Sequence, residues 1–111
     1  MLAPVCPEQL GGLPTPRPPA QIIGGSGEDV LGGTARVLAP DGGDLTAAFL
    51  RGARETLLLC RRLGVTEAIL KGDSPSCGVG RIYRGTERVP GNGVTAALLM
   101  REGITVRNHP D

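Results

Sequence analysis

Two short polar segments carry the residue types on which chemistry could rest: Cys6-Pro7-Glu8 near the amino terminus and Ser74-Pro75-Ser76-Cys77-Gly78 in the second half. Each follows an apolar run that reads as a strand, Leu2–Val5 before the first and Glu67–Lys71 before the second. In open α/β sheets, ligands bind beyond the carboxyl ends of the strands. If these strands are parallel neighbours, Cys6 and Cys77 meet at one crevice despite their separation in sequence. The loops would bring the Glu8 carboxylate, two serine hydroxyls and several backbone N–H groups with them. Gly78 and Gly80 would let the backbone approach a ligand closely. Paired thiols in such a place bind metal or catalyse, or else are cysteines that meet by chance.

The remaining candidates each have a plain alternative. Cys60 lies on an apolar helical stripe and reads as core, where cysteine packs as a small hydrophobe. Glu8 is either a working carboxylate or a solvated or capping charge. Arg17, on a stiff backbone between prolines, suits substrate binding or a surface role. Lys71, at a strand end, is a second substrate-binding candidate or merely exposed. Asp73 suits an Asx turn ahead of Ser74-Pro75. Gly91-Asn92-Gly93 reads as a tight turn before a helix, with an anion-binding nest as the alternative. His109, close to the end of the sequence, reads as inert.

The elements that must position these residues alternate between strand and helix. Gly11–Pro19 holds Pro14, Pro16, Pro18 and Pro19, which remove N–H donors and fix φ, so it reads as a long extended loop. Gln21–Ile23, Val30–Leu31 and Thr34–Leu38 are short strand candidates, and Gly32-Gly33 is placed to turn a hairpin between the last two. A helix follows Asp41-Gly42-Gly43, capped by Asp44 or Thr46 and ended by Gly64. Its apolar stripe is Phe49, Leu50, Ala53, Leu57, Cys60 and Leu63. Arg61 and Arg62 suit its negative end. After the strand Glu67–Lys71 comes a loop, Gly72–Asn92. A second helix over Val94–Glu102, halted at Gly103, and a last strand, Ile104–Asn108, follow. This order implies one small three-layer, Rossmann-like α/β domain over residues 1–111. It would have a mostly parallel sheet, a small hairpin and covering helices.

Composition limits the core and the partners. Of 111 residues, 40% are apolar, but Phe49 and Tyr83 are the only aromatics, so the core must be aliphatic. Gly (18) and Pro (10) cluster between regular segments, which points to structured loops. A net charge of +1, with both signs interspersed, gives no case for nucleic acid or an anionic membrane. No apolar run reaches spanning length and no signal-peptide pattern opens the chain, so a cytoplasmic location is expected. Three cysteines make a disulfide framework the poorer reading.

Five blocks carry a resemblance: PVCPEQLGGLPTPRPPAQI (residues 4–22), GEDVLGGTARVL (27–38), DLTAAFLRGARETL (44–57), AILKGDSPSCG (68–78) and GNGVTAALLMREGI (91–104). In this order they resemble the conserved blocks of the thiouracil desulfidase-like family, bacterial proteins long of unknown function. The resemblance implies a [4Fe–4S] cluster held by three cysteines, with one iron open to the sulfur of a thiolated pyrimidine. Water then attacks the thiocarbonyl carbon, and uracil and sulfide are released. Thiolates suit such clusters, an open site is a Lewis acid, and a carboxylate can shuttle protons from water. By the resemblance, Cys6 stands for the second cluster cysteine, Cys77 for the third and Glu8 for the acid. Ser74 and Ser76 stand for serines that bind the substrate or a cluster sulfur.

The sequence also departs from that family. Members open with a strand ending in a Cys-Leu-Leu-Gly-type motif and a helix, ahead of the block matched by PVCPE. This sequence begins at the second strand, so the expectation is a family domain shortened at its amino terminus. It would lack the first cluster cysteine, which leaves open both a working desulfidase and an inactive shortened form, and a homodimer is the arrangement that would cover the exposed edge. Members also usually carry Glu where Gln21 stands and a Ser-Arg-like pair where Gly72-Asp73 stands. Two readings from other classes stay open: a non-catalytic small-ligand or anion-binding module that uses the Pro-Gly loops and Gly91–Gly93, and a structural zinc protein that uses Cys6 and Cys77 across a dimer.

Overall fold

Strand β1, Gln21–Ile23, is the first element that the computed structural model describes; the described residues are Gly12, 20–70, 74–84 and 87–108. The expected strand Leu2–Val5 and most of the proline-rich loop lie outside them. Helix α1, Gly27–Leu31, follows at once, where the sequence suggested a strand over Val30–Leu31. The reason is local. The Ser26 N–H donates to Asp29 Oδ2 at 2.8 Å, and Glu28 and Asp29 sit in the positive first turn. Two apolar residues are too few for their spacing to oppose that signal. Gly32-Gly33 therefore ends a helix instead of turning a hairpin. Strand β2, Arg36–Leu38, pairs antiparallel with β1, with Ile22 opposite Val37.

Helix α2, Thr46–Leu63, has the expected bounds. The N-cap is Leu45, which makes no side-chain cap bond, and not Asp44 or Thr46 as expected. Asp44, one residue earlier, accepts the Thr46 N–H at 2.8 Å, and the Thr46 hydroxyl accepts the Val37 N–H and ties α2 to β2. At the other end Gly64 has φ 68°, and the N–H groups of Val65 and Gly64 reach back to the carbonyls of Cys60 and Arg61. That is a Schellman ending, which needs a left-handed residue at Gly64. Phe49, Ala53, Leu57 and Cys60 are buried as the stripe predicts, but Leu63 is 41% exposed because the chain leaves the core at this turn.

Strand β3, Glu67–Leu70, then leads toward the Ser74–Gly78 loop. The expected loop Gly72–Asn92 contains a hairpin, β4 over Arg81–Arg84 and β5 over Glu87–Pro90, with Ile82 opposite Val89. Among the described side chains, Ile82 on β4 and Val89 on β5 turn toward the core, too sparse a pattern to read as strands. Helix α3, Val94–Arg101, is buried almost all round, from Val94 through Leu99, and contacts both α1 and α2. A central helix of this kind lacks the one-sided stripe of a surface helix. Strand β6, Thr105–Asn108, pairs in parallel with β3, placing Asn108 beside Leu70.

The result is a mixed α/β fold with one parallel pair and two antiparallel pairs among the described residues. The core joins Ile22, Val37, Phe49, Leu57, Leu70, Ile82 and Leu99, the aliphatic interior that the composition demands. No described helix is long and apolar enough to cross a membrane.

Candidate functional site

The parallel pair β3–β6 determines where the cysteine loop can lie. Both strands end at the same level, Leu70 beside Asn108, and the Ser74–Gly78 turn sits beyond them. The turn is wound by its own serine. Ser74 Oγ accepts the Cys77 N–H at 2.8 Å, and the Ser74 carbonyl accepts the Gly78 N–H at 2.9 Å. Gly78 has no room for a side chain, because a Cβ there would stand 2.2 Å from the Arg81 carbonyl oxygen.

Helix α3 grips this turn from one side. The Val94 N–H donates to the Pro75 carbonyl, and the N–H groups of Thr95 and Ala96 donate to the Ser76 carbonyl, at 2.8, 2.8 and 3.1 Å. These are the groups a helix leaves unpaired at its start, and here a loop of the same chain takes them. The Ser76 and Thr95 hydroxyls complete the contact at 2.8 Å. Gly93 allows it, since a Cβ there would lie 2.4 Å from the Ser76 carbonyl carbon. The Gly91 and Gly93 N–H groups are also taken, by the carbonyls of Gly80 and Gly78. Two of the three N–H groups of Gly91-Asn92-Gly93 are thus taken within the chain, which opposes an anion nest there; the Pro-Gly loop, the other basis for an anion-binding module, lies outside the described residues.

A polar chain fixes the far side. The Gly80 N–H donates to Asn92 Oδ1 at 2.8 Å, and Asn92 Nδ2 donates to Glu28 Oε2 at 2.7 Å. Burial raises the Glu28 carboxyl, but hydrogen bonds from Asn92, its own backbone N–H and Ser26 outweigh it and hold the pKa below the ordinary glutamate value. Asn108, at the end of β6, donates to the Leu70 and Cys77 carbonyls and accepts the Val79 N–H.

Of the residues the sequence nominated, Ser74, Ser76 and Cys77 fall within this arrangement. Cys6, Glu8, Arg17 and Lys71 lie outside the described residues, as do Asp73 and His109. Ser74 is half-buried, Ser76 is 1% exposed with its hydroxyl against Thr95, and Cys77 is 5% exposed. Cys60 is buried in the core, and that burial pushes its thiol pKa up, away from the thiolate a ligand needs. Thr95 and Asn108 escaped notice in the sequence, and Asn92 was noted only as part of a glycine turn, not for its side chain. Nothing in a lone Thr inside a helix, or an Asn at a strand end, marks it as a partner of a loop many residues away.

The comparison with known proteins decides the kinship of this loop: residues 1–111 match the 2-thiouracil desulfurase family. The chain belongs to that family. It is 51% identical over 104 residues to the uncharacterized protein YbbK of Bacillus subtilis (strain 168), covering 91% of this chain and 69% of that one. It also superposes, with a TM-score of 0.79 and 48% identity, on a solved [4Fe-4S]-dependent thiouracil desulfidase, TudS. That match covers 94% of this chain and 64% of the solved one, so the chain spans somewhat under two thirds of that relative.

In this family member, Cys77 is a donor of the type an iron–sulfur cluster takes, on a turn whose Ser74 to Gly78 carbonyls and Cys77 and Gly78 N–H groups are all hydrogen-bonded. Among the described residues, no group of three or more His, Cys, Asp or Glu side chains could hold a metal ion. A cluster on Cys77 therefore needs ligands from beyond those residues, and Cys6 is the one the sequence nominates.

Proposed function

We propose that this chain works on a thiolated pyrimidine of the thiouracil type, exchanging its sulfur for oxygen. The oxygen of water bonds to the thiocarbonyl carbon, the carbon–sulfur bond breaks, and sulfur leaves as hydrogen sulfide with the two protons of the water. The observation that carries this reading is the Cys77 turn, pinned at the carboxyl ends of two parallel strands in a chain 48% identical to a [4Fe-4S]-dependent thiouracil desulfidase. Cys77 and Cys6 would hold the cluster. Bound there, a [4Fe–4S] cluster supplies an iron Lewis acid for the thiocarbonyl sulfur.

The chain's own residues have separate tasks in this reading. Glu8 takes a proton from the attacking water and passes it on. Ser74 accepts the Cys77 N–H and keeps its own O–H to donate toward substrate. Ser76, bonded to Thr95 in the interior, fixes the turn against α3. Arg17 and Lys71 contact the pyrimidine. The full-length protein, reconstituted anaerobically with iron and sulfide, should carry about four irons per chain or per dimer and turn 2-thiouracil into uracil and an equal amount of sulfide. Reconstituted protein that binds the irons yet forms no uracil would contradict the activity. Protein that takes up no iron would contradict the cluster as well.

A further inference from the structure

We infer that Asn108 is a positioning residue that locks the Cys77 loop to the parallel strand pair, an inference that rests on reading Cys77 as a cluster ligand. Asn108 ends β6 and stands beside Leu70, the last residue of β3. Its side chain bridges the strand end and the loop. Nδ2 donates to the Leu70 carbonyl at 3.3 Å and to the Cys77 carbonyl at 2.7 Å, and Oδ1 accepts the Val79 N–H at 2.8 Å. Leu70 precedes the loop, Cys77 lies in it and Val79 follows it, so one amide holds both ends of the segment.

The chemistry is specific to asparagine. Two carbonyl oxygens face the NH2 group and one N–H faces the oxygen, so the amide has a single satisfactory orientation. Aspartate would set a carboxylate against two carbonyls, and leucine, of similar shape, would take this partner from all three backbone groups. The loop is also attached on the amino side of Cys77, through Ser76 to Thr95 and the start of α3, and on its carboxyl side, through the Gly78 and Gly80 carbonyls to the Gly93 and Gly91 N–H groups. Asn108 is the described side chain that binds the Cys77 carbonyl itself. Without Asn108, the Cys77 carbonyl and the Val79 N–H lose these side-chain partners, while the Ser76 side stays anchored.

The test follows iodoacetamide labelling of the cluster-free full-length protein, resolved by peptide so that Cys77 and Cys60 are read separately. Cys60, buried on α2, reports global opening and serves as the internal reference. In Asn108→Leu and Asn108→Asp, the Cys77 labelling rate should rise about tenfold relative to Cys60. A rise only in step with Cys60, or none, overturns the assignment. Wild-type protein gives a second test that needs no variant. The chain has two asparagines, Asn92 and Asn108, so selective 15N-asparagine labelling isolates the side-chain amide, and 15N-valine labelling of a second sample reports the Val79 N–H. The Asn108 amide protons and the Val79 N–H should exchange slowly, and exchange of both at open-chain rates overturns the inference. The two readings fail separately. Full iron content in Cys77→Ala would remove the ligand assignment, whereas an unchanged labelling ratio removes the role of Asn108.

Discussion

The Ser76 and Thr95 hydroxyls face each other at 2.8 Å in the interior, where Ser76 is 1% exposed and Thr95 is fully buried. One residue belongs to the cysteine loop and the other to the central helix. Their bond makes the loop part of the core instead of a surface appendage.

Removing either hydroxyl leaves the other without this partner in a place water does not reach. Ser76→Ala and Thr95→Val should each cost about 1–3 kcal/mol of stability. The double variant should cost less than the sum, because no orphaned hydroxyl remains. Urea unfolding of the four proteins, free of cluster, checks this. Strict additivity would mean that the two groups do not depend on each other.

Gly93 and Gly64 should fail for different reasons. Gly93 has an ordinary φ of −70°, so alanine there suffers no backbone strain; its Cβ would instead meet the Ser76 carbonyl carbon at 2.4 Å and the Cys77 nitrogen at 2.7 Å. Backbone atoms cannot swing aside, so Gly93→Ala should cost about 1–3 kcal/mol or more and speed Cys77 labelling. Gly64 has φ 68° and open space around it. Gly64→Ala should cost about 1–2 kcal/mol in left-handed strain and leave the Cys77-to-Cys60 labelling ratio at the wild-type value. Equal ratios in the two variants would show that Gly93 has no special hold on the loop.

Acid should weaken the start of α2. The Thr46 side chain and N–H, and then Arg36, hold the Asp44 pKa at about 2, against an ordinary 3.8. The folded value is the lower one, so the unfolded chain binds the proton more tightly. The stabilisation is complete above pH 3.8 and is lost as the pH falls toward 2. Asp44→Asn should flatten the fall in urea midpoint between pH 5 and pH 2 in part. Parallel acid curves for the two proteins would contradict this role of Asp44 beside Thr46 and Arg36.

Much of the scaffold could be read in advance, and the exceptions share a cause. Helix α2 was legible because eighteen residues carry a stripe and a glycine stop that agree. Helix α3 was legible from its bounds, Gly93 before and Gly103 after, although its burial on every side hides any stripe. The five-residue α1 and the β4–β5 hairpin were missed. Each has few buried residues, so no apolar spacing marks it: α1 rests on a local capping box and the hairpin on pairing between neighbouring segments. Gly27 adds a contact distant in sequence: its N–H donates to the Asn92 carbonyl, and a Cβ on it would strike Gly93. At the site, cysteine and serine announced themselves by type and by the Ser-Pro-Ser-Cys-Gly pattern. Asn108, Thr95 and Asn92 did not, because their importance comes from which carbonyls and N–H groups the fold carries to them.

The central claim is that Cys77, and not the core thiol of Cys60, holds iron. Its most direct measurement is the iron and acid-labile sulfide content of anaerobically reconstituted wild-type, Cys77→Ala and Cys60→Ala proteins. Loss of both in Cys77→Ala, with wild-type content in Cys60→Ala, is the expected result. Wild-type content in Cys77→Ala would contradict it.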